Sequence, residues 1–126
     1  MKFTETKLQG VFIVDMEPLA DDRGWFSRVY CKDEFAEINH NKEFVQINHS
    51  YNKDKSTVRG MHYQIPPDAE IKLIRCTRGK IFDVIVDIRK GSTTFMEWIG
   101  VELSAENKKM IYMPAGFAHG FQTLED

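Results

Sequence analysis

The chain has 126 residues, 42% of them hydrophobic and 29% charged, with a formal net charge of −2. That length suits a single domain with one core over residues 1–126, and the charge balance lacks the basic excess that draws proteins to nucleic acid or anionic membrane. No apolar run approaches bilayer length, and the opening MKFTETKLQG has no apolar signal core, so a cytoplasmic protein with no membrane partner is expected.

Glycine and proline punctuate short runs throughout, which is the rhythm of an all-β domain. A strand is expected over 11–15, a turn at 21–24, a second strand over 25–31 and one short helix over 32–38. Residues 44–50, 57–64 and 70–77 continue the strand pattern. The clearest alternation lies in 80–88, with Phe82, Val84, Val86 and Ile88 on one face and Ile81, Asp83, Ile85 and Asp87 on the other. Strands over 95–103 and 108–113 follow, joined by a turn at 104–107. Short strands at this spacing predict a β-sandwich or jelly roll. Cys31 and Cys76 stand in separate strand-like segments without CxxC spacing and read as reduced packing residues.

Two segments carry the chemistry: Arg59-Gly60-Met61-His62-Tyr63-Gln64 and Pro114-Ala115-Gly116-Phe117-Ala118-His119-Gly120. Each ends a strand-like run and delivers a histidine to a turn, with Asp83 and Asp87 on a strand between them. His62 reads either as a general base or as a satisfied core histidine. His119 closes Pro-x-Gly-x-x-His, the spacing of the second histidine in many cupins. The first cupin segment usually offers His-x-His and a glutamate, whereas here His62-Tyr63-Gln64 and a displaced Glu70 make a poor metal set. Lys72 is either a functional cation inside a barrel or a residue of a solvated edge. Gln46 and Asn48 share a strand face and suit one polar ligand. Arg23, Arg28 and Arg59, at strand ends or turns, suit phosphate oxygens. Aromatic residues such as Phe26 pack the core or the barrel mouth, where they can stack on a nucleobase.

Taken together, Asp22-Arg23-Gly24-x-Phe26, Gln46-x-Asn48-x-Ser50, the His62 segment, Lys72-Leu73-Ile74-Arg75-Cys76, residues 83–89 and the His119 segment resemble the dTDP-4-dehydrorhamnose 3,5-epimerase family. The resemblance implies a cupin-type jelly-roll barrel without metal or cofactor, working on a nucleotide-diphosphate sugar. It implies a homodimer in which N-terminal segments are exchanged to complete the partner's site. His62 would take a proton beside a keto group and Lys72 would stabilise the enolate. Arg23 and Arg59 would hold the diphosphate; Phe26, Gln46, Asn48 and His119 would line the nucleotide and sugar; Asp83 would orient His119. Two departures stand out. Arg28 replaces a usual glutamate, and the family continues past residue 126 with a proton-returning tyrosine and an aspartate partner for the base. A non-catalytic sugar-nucleotide-binding barrel and a metal-dependent cupin enzyme are the alternatives.

Overall fold

A computed structural model of the protein describes residues 1–125. Among these residues ten strands run in the order β1 (Lys2–Glu5), β2 (Phe12–Asp15), β3 (Leu19–Asp21), β4 (Gly24–Phe26), β5 (Val58–His62), β6 (Lys72–Arg75), β7 (Lys80–Asp87), β8 (Trp98–Ser104), β9 (Lys109–Met113) and β10 (Phe117–Thr123). The short helix α1 (Lys32–Phe35) continues as a 3-10 turn over Ala36–Ile38, within the span expected from sequence. One sheet has the order β1-β2-β9-β6 and the other β5-β10-β7-β8, while β3 and β4 form a separate hairpin. Every pairing is antiparallel. This all-β architecture agrees with the expected jelly roll.

The period-2 alternation divides the side chains between two cores. Leu8, Val11, Ile85, Val101, Leu103, Ile111, Met113 and Phe117 fill the space between the large sheets. Met110 and Tyr112, the alternate residues of β9, point the other way and join Val14 and Phe35 in a second core under α1. β9 is therefore buried on both faces, and the helical segment acts as a cover on the first sheet. An aromatic cluster anchors that cover: the His40 ring stacks on Phe44 at 4.5 Å between centroids, and its Nδ1 lies 2.9 Å from the Tyr112 hydroxyl.

Three expectations need correction. Residues 44–50 form no strand: the alternation is present, but no neighbouring strand lies beside it, leaving Val45 85% and Ile47 97% exposed. The strand expected over 25–31 ends at Phe26, because β4 finds only β3 to pair with. His119 sits within β10 rather than in a turn, since residues 117–123 pair along β7. β1 was not expected either; it extends the first sheet through β2.

Candidate active site

β10 is the strand that gathers the site. On one side it pairs with β5, setting His119 opposite His62; on the other it pairs with β7, setting His119 opposite Ile85 and Phe121 opposite Asp83. Asp83, Ile85, Phe117 and His119 share the face that looks into the barrel. The approach of β5 to β10 depends on two glycines meeting back to back. A Cβ on Gly60 would lie 2.5 Å from the Gly120 Cα, and Gly60 has φ +113°, a conformation open to glycine. The register shifts between His119 and Phe121, a bulge that re-aims the strand at this point.

At the floor, the His119 Nδ1 lies 3.3 Å from Oδ1 of the fully buried Asp83, so an Nδ1–H tautomer donates to the carboxylate. Burial pushes the Asp83 carboxyl above its ordinary value, opposed by the hydrogen bond and charge of His119 and by the charge of Lys72. Its second oxygen has no hydrogen-bond partner among the described residues. Lys72, in β6 of the facing sheet, lies on the same strand face as Ile74, which packs against the inter-sheet core. Its side chain is 21% exposed and its Nζ lies 3.3 Å from the Glu70 carboxylate. Glu70, weighed from sequence as a displaced metal ligand, is thus a partner of Lys72 from the loop that enters β6. Among the described residues, no group of three histidine, cysteine, aspartate or glutamate side chains gathers to hold a metal ion.

His62 is the last residue of β5, all five residues of which are exposed. Beyond it, Tyr63, Gln64 and Ile65 line an open cleft of about 540 Å³ closed on other sides by Lys90, Phe95 and Met96. Sequence reading did not anticipate this cleft, because it is assembled from three loops. Arg59, opposite Phe121, is exposed and makes no ion pair among the described residues.

The remaining candidates lie elsewhere. Arg23 is 90% exposed at the hairpin tip, its guanidinium 2.6 Å from Asp21. Phe26 is exposed on the same hairpin, and Gln46 and Asn48 are exposed on the irregular segment after residue 40. None of the four makes a hydrogen bond or ion pair with His62, Lys72, Asp83 or His119. Arg28 pairs with Glu34 at 2.9 Å, and Glu34 also meets the chain's terminal ammonium at 2.7 Å. Those two cations, the ammonium foremost, hold the Glu34 carboxyl down to about 2. Of the tyrosines, Tyr30 and Tyr112 belong to the aromatic cluster, Tyr51 is exposed, and Tyr63 lines the cleft.

Comparison with known proteins identifies the family. The family model for dTDP-4-dehydrorhamnose 3,5-epimerase matches residues 5–126. The enzyme of that name from Shigella flexneri is 46% identical over 127 aligned positions, which cover 100% of this chain and 70% of the relative. A Bacillus anthracis dTDP-4-dehydrorhamnose 3,5-epimerase solved with TDP and pyrophosphate bound superimposes with a TM-score of 0.95 at 43% identity, covering 98% of this chain and 71% of that one. A Legionella pneumophila 3,5-epimerase solved with dTDP-4-keto-L-rhamnose gives a TM-score of 0.92 at 38% identity, covering 98% of this chain and 65% of that one. With a family match across nearly its whole length and His62, Lys72, Asp83 and His119 carried on the matching barrel, the chain belongs to the dTDP-4-dehydrorhamnose 3,5-epimerase family.

Proposed function

We propose that the protein epimerises a nucleotide-linked 4-keto-6-deoxysugar, such as dTDP-4-dehydro-6-deoxyglucose, by removing and returning protons at carbons beside the ketone. The observation that carries the reading is the convergence of His62, His119, Asp83 and Lys72 on one barrel of this family. In this reading His62 is the base. Abstraction beside a carbonyl turns its oxygen into an enolate, and a fixed ammonium stabilises the charge where it develops; Lys72 fills that role. The His119–Asp83 pair orients the sugar, the buried carboxylate fixing the tautomer of the imidazole. Return of a proton to the opposite face needs a donor there, the part that the family resemblance gives to a tyrosine.

Arg23 and Arg59 hold the diphosphate in this account, since guanidinium groups match phosphate oxygens in bidentate fashion. Phe26, Gln46 and Asn48 take the nucleotide and sugar. Their exposure, and the lack of a hydrogen bond or ion pair to His62 among the described residues, suits a homodimer in which the exposed hairpin and the segment around Ile47 complete the partner's site. The two free cysteines suit a cytoplasmic setting, and among the described residues no helix is long and apolar enough to cross a membrane. Incubation with dTDP-4-dehydro-6-deoxyglucose in deuterium oxide, followed by proton NMR, is expected to show exchange at a carbon beside the ketone ahead of inversion; a substrate that binds and remains unlabelled would favour the non-catalytic barrel.

A further inference from the structure

The β3–β4 hairpin pairs with neither large sheet, and all six of its strand residues are exposed. A free hairpin of this size is marginal in water, so something must fix its direction. The contact that does so is made by Trp25. The Lys108 Nζ lies 5.1 Å from the centroid of the Trp25 ring, within cation–π range, and both side chains border a concavity of about 120 Å³ with Met16, Arg75 and Ser104.

Lys108 is itself held rigidly. It stands at φ +55° in the β8–β9 turn, where Asn107 Oδ1 accepts from the Ser104 and Lys109 amides at 3.0 Å and Ser104 Oγ accepts from the Asn107 amide at 2.9 Å. Its Nζ donates to the Glu106 carbonyl at 3.0 Å, which steers the ammonium. Its own carbonyl accepts from the Met16 amide at 3.4 Å, so the same residue holds the chain entering the hairpin. One turn residue thereby grips the hairpin at its root and at its second strand.

We propose that the Lys108–Trp25 stack is a positioning device that docks the β3–β4 hairpin on its own barrel and so fixes where Arg23 is presented to the diphosphate of a nucleotide sugar. The proposal rests on the reading of Arg23 as a diphosphate ligand. Neither Trp25 nor Lys108 contacts the reacting atoms in this account; they act through Arg23. Their loss therefore changes affinity and KM, and leaves kcat near the parent value.

The test measures affinity for thymidine diphosphate by calorimetry in Lys108→Gln, Trp25→Leu, the double variant, Lys108→Arg and Arg23→Ala. Each of the first two is expected to bind roughly two- to fivefold more weakly, the double variant no more weakly than Trp25→Leu, and Lys108→Arg as tightly as the parent. In a Trp98→Phe background, where Trp25 is the remaining tryptophan, Lys108→Gln should raise acrylamide quenching of its fluorescence. Unchanged quenching, or additive losses in the double variant, would overturn the docking role, because a purely structural effect of Lys108 on its turn persists without Trp25. If Arg23→Ala weakens binding and Lys108→Gln does not, the positioning role fails. If Arg23→Ala itself binds as the parent does, the diphosphate reading is what fails, and the positioning role with it.

Discussion

At the residue scale, the site is governed by one buried carboxylate and the cations that face it. Asp83 is fully buried, and burial raises its carboxyl while His119 and Lys72 pull it back down. Removing the Lys72 charge takes away one of the two opposing influences, so the Asp83 carboxyl in Lys72→Met must titrate higher than in the parent. Carbon-detected NMR of the Asp83 carboxyl checks this, and a downward shift would contradict the placement of Lys72 inside the barrel. The same substitution removes the ammonium assigned to the enolate oxygen and is expected to slow turnover roughly a hundredfold with a smaller change in KM. The partners of this group were partly legible in sequence. Alternation over 80–88 put Asp83 on one strand face with Ile81, Ile85 and Asp87, while Lys72 stayed open between the barrel interior and a solvated edge. What alternation does not give is depth: His119 and His62 sit opposite each other in register, yet one is nearly buried and the other is exposed at a strand end.

At the element scale, alternation locates a strand where neighbouring strands exist and misleads where none lies alongside. β7 has neighbours on both sides, and its expected span of 80–88 nearly coincides with the observed Lys80–Asp87. The segment 44–50 has the same alternation without a neighbour, and alternation alone does not satisfy backbone hydrogen bonds. β10 was obscured for a different reason: its two inner glycine and alanine positions look like a turn, while Gly120 is in fact the surface against which Gly60 closes. The α1 cover makes a further prediction. His40 is buried against Tyr30, Phe35, Phe44 and Tyr112, and burial lowers its pKa below the ordinary 6.5. The unfolded chain protonates at the ordinary value while the folded chain resists, so stability is full above that value and is lost as pH falls toward the depressed one. Urea unfolding of the parent should show a lower midpoint at acid than at neutral pH, and His40→Phe should flatten the dependence in that window. An unchanged slope would show that His40 is not held neutral by its surroundings.

At the scale of the whole molecule, the chain buries one sandwich core well and leaves large apolar side chains outside it, including Leu19, Phe26, Val45, Ile47, Tyr51 and Trp98. The first five lie on the hairpin and the irregular segment, the two pieces that carry Arg23, Phe26, Gln46 and Asn48. A lone protein gains nothing by exposing them; a dimer that lays these segments against the partner would cover them and, in the reading proposed above, bring Arg23, Phe26, Gln46 and Asn48 to one site. Sedimentation equilibrium should give twice the chain mass for the parent, and Ile47→Glu should shift the equilibrium toward monomer with a loss of nucleotide affinity. A monomeric parent with full affinity would require the four residues to act within their own chain.

The central claim is that His62 removes a proton from the carbon beside the ketone. Its most direct measurement is the appearance of deuterium at the carbons flanking the ketone when dTDP-4-dehydro-6-deoxyglucose is incubated with the protein in deuterium oxide, followed by NMR for the parent and for His62→Ala. The account predicts incorporation by the parent and none above the uncatalysed rate by His62→Ala, with thymidine diphosphate affinity retained. Incorporation by His62→Ala at the parent rate would contradict it.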